Sequence, residues 1–317
     1  MYRCKDGNFT AYTADGNDDK RRENATVNQD VIDLYDNFTH GRINRRDFFD
    51  RLTGLAGSAA AAASIYATLK PNYALAAVVA DDDPRLASET ISYDSPVGKV
   101  TAYLSRLKTE AKRPTILVVH QNRGLNPHIK DITRRLAMAG FLACGVDFLS
   151  TQGGTPDDDD KAREMFAKVN LAETDQQATA GITFLNKHAE STGKTGAVGF
   201  CWGGGVVDRL AMNSPDLAAG VAFYGPIPAN KDKVADIKAP LLLHYASLDN
   251  FVNPGIPAWE AALKAAGKRY TVYMYEGVNH GFNDDTAGPR YNKQAADLAW
   301  SRSLAFFKAN VGTPPAA

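Results

Sequence analysis

Cysteine is scarce in this sequence of 317 residues, and neither sign of charge is in excess. The three cysteines, Cys4, Cys144 and Cys201, cannot all pair within one chain, and they are too widely separated to form a metal-ligand cluster. A disulfide scaffold is not expected in a domain that is large enough to bury its own core. At least one thiol is therefore predicted to be free.

The absence of net charge argues against one class of function, nucleic-acid binding. Lys and Arg together number 36, as do Asp and Glu, so the formal net charge is zero. A nucleic-acid binder is disfavoured, because it needs an excess of positive charge to attract phosphates. The composition, 44% hydrophobic and 23% charged, is typical of a globular protein. The length allows one α/β domain, commonly about 200–250 residues, and an extension.

The chain also lacks a long apolar run, and its first 77 residues resemble a leader. Residues 1–43 form a polar extension that need carry no packed structure. Residues 44–77 contain Arg45 and Arg46, an alanine-rich run at 52–69 and a small-residue site ending at Ala77. This order resembles a twin-arginine signal and predicts a periplasmic protein handled by export machinery.

A second interpretation of the same segment stays open. An amphipathic helix could pack on the domain formed by residues 78–317 and stay attached to a cytoplasmic protein. The run is helix-favouring in both cases, because alanine is the best helix former. It is too short and too rich in alanine for stable membrane insertion, and Lys70 and Pro71 end it.

The rest of the chain alternates between strand and helix patterns. A hairpin is predicted at 90–93 and 99–107. Further strands are predicted at 115–119, 141–146, 195–200, 217–224, 240–245 and 270–275, with helices at 128–139, 161–188, from Gly203 onward, 257–266 and 294–310. This alternation predicts an α/β fold: a mostly parallel central sheet with helices on both faces and a site at the carboxyl ends of its strands.

The strongest motif is Gly199-Phe200-Cys201-Trp202-Gly203. It is the Gly-x-nucleophile-x-Gly pattern with cysteine as nucleophile, placed between a strand and a helix. The glycines allow a tight turn, and the helix dipole that begins at the thiol favours the thiolate. Taken alone, Cys201 could equally be a small buried apolar residue.

Two further residues follow later strands in the order that α/β-hydrolases use. Asp249 lies just beyond the strand at 240–245, and His280 lies in the loop after the strand at 270–275. His280 is predicted to take the proton of Cys201 and Asp249 to orient the imidazole. The backbone N–H groups of Trp202 and Asn122 are the predicted oxyanion hole.

These motifs resemble the dienelactone hydrolase family over about residues 92–307. The resemblance implies the α/β-hydrolase fold and cleavage of a small ester or lactone through a cysteine nucleophile, with neither metal nor organic cofactor. The candidates for substrate contact are Gln121, Arg123, Phe282 and Tyr224, and Arg290 lies nearby. The oligomeric state is left open.

The sequence departs from the family pattern at two places. Gln121 stands where the family usually has a glutamate that interacts with the resting thiol, so Cys201 is expected to pair with His280 permanently. Asp284 and Asp285 follow His280 and are expected to form an acidic edge that repels an anionic lactone.

The remaining histidines are interpreted as structural. His244 is predicted to be a satisfied core group, His120 either a packed residue or a substrate contact, and His40 and His188 surface residues. Two other functions stay open on the same fold. Cys201 could sense oxidants, although no resolving cysteine lies beside it in sequence, or the fold could be a binding scaffold without activity.

Overall fold

The computed structural model describes residues 27–75 and 78–315. One eight-stranded sheet forms its centre, in the order β1-β2-β4-β3-β5-β6-β7-β8. The first two strands form the predicted antiparallel hairpin, β2 pairs antiparallel with β4, and all later pairs are parallel. The strands are β1 Leu86–Ser95, β2 Gly98–Leu107, β3 Arg113–Val119, β4 Leu142–Val146, β5 Ser191–Phe200, β6 Leu217–Phe223, β7 Leu241–Ala246 and β8 Tyr270–Tyr275.

Helices cover both faces of this sheet. The described helices are α1 Gln29–Thr39, α2 Arg45–Ala56, α3 Ala59–Leu69, α4 Pro127–Met138, α5 Asp159–Phe166, α6 Leu171–Lys187, α7 Trp202–Asn213, α8 Ile256–Ala265 and α9 Lys293–Asn310. One apolar core joins α6, α7 and α8 to the sheet, and a second joins α4 and α9 to it. The predicted α/β architecture is confirmed, because strands β3, β4, β6 and β7 and the second half of β5 are almost fully buried between two helical layers.

The single long helix predicted at 161–188 is wrong. The structure has two helices there, α5 and α6, which are separated after Ala167. Asn170 begins the second helix, and its side-chain oxygen accepts a hydrogen bond from the backbone N–H of Ala172 at 2.9 Å. An asparagine at this position offers the backbone a cap in place of a continued helix, so it starts α6 afresh.

The N-terminal helices form a small core of their own. Asn28 caps α1, and the helix buries Val31, Tyr35 and Phe38 against residues of α2 and α3. The interpretation of residues 1–43 as a polar extension without packed structure is therefore wrong for 29–39. Apolar residues at three- and four-residue spacing give this helix a buried stripe despite its many acidic side chains. The rest of that predicted extension, residues 1–26, lies outside the described residues.

The N-terminal helices, with the turn residues between α1 and α2, are called the N-terminal segment below (residues 27–69). Arg45 of the twin-arginine pattern lies in α2 and pairs with Asp160 of α5. Tyr66 of α3 donates a hydrogen bond to the same carboxylate at 3.1 Å. Farther along, Tyr73 donates to Asp159 at 2.7 Å. The N-terminal segment is thus packed against the domain at 78–317, while the last two residues of the predicted small-residue site at 73–77 lie outside the described residues.

Within the described ranges, none of the helices taken singly has the length and apolar character of a membrane span. Together α2 and α3 have both, but they meet at an angle of 111°.

Candidate active site

The nucleophile elbow is present as the sequence predicts. Cys201 lies between the end of β5 and the start of α7. Its backbone has φ 52° and ψ −120°, a conformation that residues other than glycine rarely adopt. A Cβ atom on Gly199 would lie 2.0 Å from the carbonyl oxygen of Gly203, and one on Gly203 would lie 2.5 Å from the carbonyl oxygen of Val119. The turn can close only because both positions lack a side chain.

Asp249 and His280 meet at the same edge of the sheet. Oδ2 of Asp249 lies 2.7 Å from Nδ1 of His280. The other carboxylate oxygen of Asp249 accepts hydrogen bonds from the backbone N–H groups of Phe251 and Val252 at 2.9 and 3.0 Å. These bonds fix the carboxylate after β7, and the carboxylate in turn fixes the imidazole, whose Nε2 is then left for the chemistry.

A histidine that sequence reasoning placed on the surface contacts the thiol. His40 follows α1, and its Nε2 lies 3.5 Å from Sγ of Cys201 and 3.3 Å from Nε2 of His280. Its ring also stacks on Phe251, with ring centroids 4.1 Å apart. The prediction that His40 is a surface residue is wrong. The apolar stripe of α1 was the available signal, since a packed α1 brings the residue after it onto the domain.

The charges around Cys201 favour a thiolate. Burial alone would raise the pKa of the thiol, but the positive charges of His280 and His40 outweigh it and lower that pKa to about 5. Burial would lower the pKa of His280, whereas the negative charges of Asp249 and Cys201 raise it well above its ordinary value. Burial would likewise raise the pKa of Asp249, but the His280 charge lowers it. For each of the three groups the neighbouring charges thus favour the ionised form over the neutral one.

Both residues predicted to supply the oxyanion hole line a cavity together with Cys201. Trp202 is the first residue of α7, so its backbone N–H has no acceptor within the helix. Asn122 lies in the loop after β3, and its side chain donates a hydrogen bond to the carbonyl oxygen of Thr39 at 2.7 Å. Asn122, Trp202 and Cys201 line one cavity, as a shared oxyanion position requires.

This cavity has a volume of about 430 Å³ and an aromatic wall. The wall is built by Phe38, Phe166, Trp202 and Phe251. A space of this size holds a small organic molecule, and its apolar lining favours a substrate with a short aliphatic or aromatic part.

A second, smaller pocket that Cys201 also lines holds three of the four predicted substrate contacts. Gln121, Arg123 and Tyr224 line it together with Cys201 and His280, and Arg290 does so as well. The guanidinium groups of Arg123 and Arg290 already contact side chains of the N-terminal segment. Arg123 donates a hydrogen bond to the Tyr35 hydroxyl at 3.0 Å, and Arg290 lies 3.3 Å from the Asp36 carboxylate.

Phe282, the fourth predicted contact, lies elsewhere. Its side chain is fully buried, and its ring packs against those of Tyr224 and Tyr275, with centroids 5.4 and 4.9 Å away. It lines neither of the two cavities beside Cys201. The prediction of a direct substrate contact is therefore wrong in this structure, because the chain turns after His280 and directs the aromatic ring into the core.

The predicted acidic edge is also corrected. Asp284 is buried, and it accepts hydrogen bonds from Gln121 at 3.1 Å and from Thr286 at 2.6 Å. Asp285 pairs with Arg135 and lies 3.2 Å from Nδ1 of His128. Both carboxylates are thus compensated inside the protein, so they do not form the free negative surface that would repel an anionic lactone.

Two of the remaining histidines are structural. His244 is fully buried, and its ring nitrogens contact the hydroxyls of Tyr275 at 3.0 Å and Ser303 at 3.1 Å, which confirms a satisfied core group. His120 is also fully buried, and its Nε2 accepts a hydrogen bond from the backbone of Phe148 at 3.2 Å. Burial lowers the pKa of His120 to about 4, so the ring is neutral and packed.

A model of the dienelactone hydrolase family matches residues 100–311, and a model described as YqhI-like matches residues 19–57. A proposed carboxymethylenebutenolidase of Escherichia coli strain K12 is 30% identical over 246 residues, which are 73% of this chain and 90% of that protein. The proposed hydrolase fragment YghX of the same strain is 47% identical over 112 residues, 34% of this chain and 96% of the fragment.

Among solved structures, a proposed dienelactone hydrolase of Klebsiella pneumoniae superposes with a TM-score of 0.64 and 27% identity, covering 70% of this chain and 98% of that one. The sheet order, the elbow and the loops that carry Asp249 and His280 define an α/β-hydrolase. With the family model matched over residues 100–311, the chain belongs to the dienelactone hydrolase family. Membership of that family makes it a hydrolase of esters or lactones.

Proposed function

We propose that this chain cleaves a small carboxylic ester or lactone through a covalent thioester on Cys201. One observation carries the proposal: the thiol, the His280 imidazole and the Asp249 carboxylate converge at one sheet edge, with the thiol at the strained elbow. The relatives named as carboxymethylenebutenolidases support the same substrate class.

The first step forms the thioester. The Cys201 thiolate attacks the carbonyl carbon, and the oxygen that becomes negative is stabilised by the backbone N–H groups of Trp202 and Asn122. Loss of one such donor costs about 3 kcal/mol of transition-state stabilisation in comparable sites. The His280 imidazolium then gives its Nε2 proton to the departing alkoxide as the carbon–oxygen bond breaks, which leaves a neutral alcohol.

The second step releases the acid. Neutral His280 accepts a proton from water as the water oxygen attacks the thioester carbonyl, and Asp249 stabilises the imidazolium that forms. Collapse of this intermediate expels the thiolate, so Cys201 and the imidazolium return to their starting states. For a lactone, alcohol and acid remain one molecule, because the ring bond is the one that breaks.

A panel of aryl esters of acetate and butyrate and of small lactones, measured with a chelator present, tests the proposal. We expect turnover by the unchanged protein and loss of turnover in Cys201→Ala and in His280→Ala. Cys144→Ala is the matched control, because Cys144 is a second free thiol that is fully buried in β4. Undiminished turnover by Cys201→Ala would refute the proposed mechanism.

The same experiment separates the two alternative functions. If Cys201 reacts with a sulfenic-acid probe after peroxide treatment while no ester is cleaved, the low pKa of the thiol serves oxidant sensing. If a ligand binds without turnover, the fold is a binding scaffold. Neither alternative explains why Asp249 orients His280 beside the thiol.

We propose that the N-terminal segment remains attached to the working protein. The contacts of Cys201, Asn122, Arg123 and Arg290 with this segment support the proposal, since cleavage at 77 would remove the partner of each. Export through the twin-arginine pattern stays a prediction from the sequence. Cell fractionation with N-terminal sequencing tests both: a periplasmic protein that begins near residue 78 would contradict retention, and an intact cytoplasmic chain would contradict export.

A further inference from the structure

Three electron-pair donors from distant parts of the chain converge at the elbow. The sulfur of Cys201 and one ring nitrogen each of His40 and His280 all lie within 4.8 Å of one another. The sulfur is 3.5 Å from Nε2 of His40, and that atom is 3.3 Å from Nε2 of His280. The proposed hydrolysis assigns roles to Cys201 and His280 but leaves His40 without one.

The outer nitrogen of each ring is already bound to an acceptor. Nδ1 of His280 lies 2.7 Å from the Asp249 carboxylate, and Nδ1 of His40 lies 2.7 Å from the backbone carbonyl oxygen of Asp36. Each Nδ1 is therefore the donor, so in the neutral rings both Nε2 atoms carry lone pairs. In the metal-free protein the Nε2 proton of the His280 imidazolium lies between the two rings, and a metal ion that displaces this proton meets two lone pairs 3.3 Å apart beside a thiolate.

Two of the three separations match those of a tetrahedral zinc site, and the third, between Sγ of Cys201 and the ring nitrogen of His280, is within 4.8 Å. Zinc binds imidazole nitrogen at about 2.0–2.1 Å and thiolate sulfur at about 2.3 Å, so adjacent ligands lie about 3.3 Å (N to N) and about 3.6 Å (N to S) apart. The measured separations are 3.3 Å for the two nitrogens and 3.5 Å for His40 nitrogen and sulfur. The acceptors on both Nδ1 atoms are the outer partners that metal-binding histidines usually have.

We propose that His40, Cys201 and His280 form a binding site for Zn²⁺ that joins the N-terminal segment to the nucleophile elbow. Imidazole and thiolate donors select a borderline ion such as Zn²⁺ over Mg²⁺ or Ca²⁺, which prefer oxygen. Three protein ligands leave one tetrahedral position, and the cavity of about 430 Å³ that His40 and Cys201 both line supplies room for a water there.

Zinc at this site stops the hydrolase reversibly, a consequence that rests on the proposed function. The thiolate pair that would attack the carbonyl is donated to the metal, and so is the His280 lone pair that would accept a proton from water. Zinc also ties residue 40 to residues 201 and 280, so unfolding of the N-terminal segment requires release of the metal.

Cobalt substitution tests binding without any need for turnover. We expect the metal-stripped full chain to bind one Co²⁺ with a thiolate-to-cobalt charge-transfer band and the intense visible bands of tetrahedral cobalt. One equivalent of Zn²⁺ should abolish these bands, whereas Mg²⁺ should not. Cys201→Ser should lose the charge-transfer band, and His40→Gln should weaken apparent Zn²⁺ affinity at least tenfold. Circular dichroism checks that both variants are folded.

Two matched controls remove the same residue types elsewhere. His188→Gln and Cys144→Ala should keep both the bands and the affinity, because neither residue lies at the elbow. Unchanged affinity in His40→Gln, or the absence of a charge-transfer band in the unchanged protein, would overturn the proposal. The second result would mean that a shared proton alone occupies the space between the three atoms.

An activity measurement keeps the two proposals separate. If the chain hydrolyses esters, Zn²⁺ should inhibit it and a chelator should restore the initial rate. If no ester is cleaved, the cobalt bands still test the metal site. Bands without turnover would contradict only the proposed function, and turnover without bands would contradict only the zinc site.

Discussion

Asp249 holds His280 from the side opposite Cys201, with 2.7 Å between Oδ2 and Nδ1. The carboxylate fixes which ring nitrogen carries the proton and which one faces the thiol. We expect Asp249→Asn to reduce kcat for an aryl ester by about 10²–10⁴-fold, because the amide can present its N–H to Nδ1 and reverse the tautomer. Steady-state kinetics checks this, with Asp216→Asn, an exposed carboxylate, as the control. Equal kcat values for the two variants would exclude the orienting role.

Alkylation of Cys201 should report a thiol of low pKa. The positive charges of His280 and His40 overcome the effect of burial and lower that pKa to about 5, so the iodoacetamide rate should rise with pH through this value and level off below neutrality. His280→Gln should move the profile to higher pH, because one of these charges is removed.

Peptide mass spectrometry with a chelator present measures the rate at each thiol separately. Cys144 is the internal control, since burial raises its pKa to about 12 and leaves it a fully buried thiol. A Cys201 profile that rises only near pH 8 or 9, as for an ordinary thiol, would contradict the charge arrangement.

A pair of glycine substitutions should change stability in opposite directions. Gly199→Ala places a methyl group 2.0 Å from the Gly203 carbonyl oxygen, so the elbow must open, at a cost of about 1–3 kcal/mol or more. Gly54 lies exposed in α2, and a Cβ atom added there would meet no other atom within 4 Å, so Gly54→Ala should stabilise by about 0.5–1 kcal/mol. Urea unfolding gives both values. Equal stability of the two variants would show that the elbow is not tightly packed.

Asp208 should make the protein less stable as the pH rises. It is fully buried in α7 and, among the described residues, its carboxylate oxygens have no hydrogen-bond partner. Burial raises its pKa to about 8, opposed only in part by Arg209 and Trp259. The folded chain therefore binds this proton more tightly than the unfolded chain, in which an aspartate titrates near about 3.9.

The contribution of Asp208 to the free energy of unfolding is fully present below about pH 4. It is lost as the pH rises towards 8, and the free energy of unfolding then falls by up to about 1.4 kcal/mol for each pH unit. Asp208→Asn removes the titration, so the difference in free energy of unfolding between variant and parent should grow from pH 5 to pH 8 and then level off. Denaturant unfolding at several pH values measures it, with Asp216→Asn as the control. A difference independent of pH would show that Asp208 is charged in the folded state.

Sequence reasoning predicted the central fold and the elbow because both have local signals. The apolar strands and the Gly199-to-Gly203 motif are each contained in a few consecutive residues. Asp249 and His280 were placed by their order after strands, and parallel strands bring their carboxyl ends to one edge. The break between α5 and α6 was not predicted, because residues that favour helix lie on both sides of the N-cap Asn170.

The positions of His40 and Phe282 could not be predicted from local sequence patterns. The position of His40 depends on how α1 docks, through contacts such as Arg123 with Tyr35 and Arg290 with Asp36, which join residues far apart in sequence. The direction of Phe282 depends on the turn after His280, and Asp284 is compensated by Gln121 from another loop. Tertiary contacts of this kind leave no periodic pattern in the sequence.

The distance along the chain between Cys201 and His40, 161 positions, has a consequence for how unfolding would be observed. The small helical core that carries His40 shares few apolar side chains with the sheet, so it can open as a cooperative unit of its own at lower temperature. Such an opening would withdraw one imidazole while leaving the strands intact. The chemical reactivity of a single sulfur atom would then record early, local melting that the circular dichroism of the sheet does not yet register.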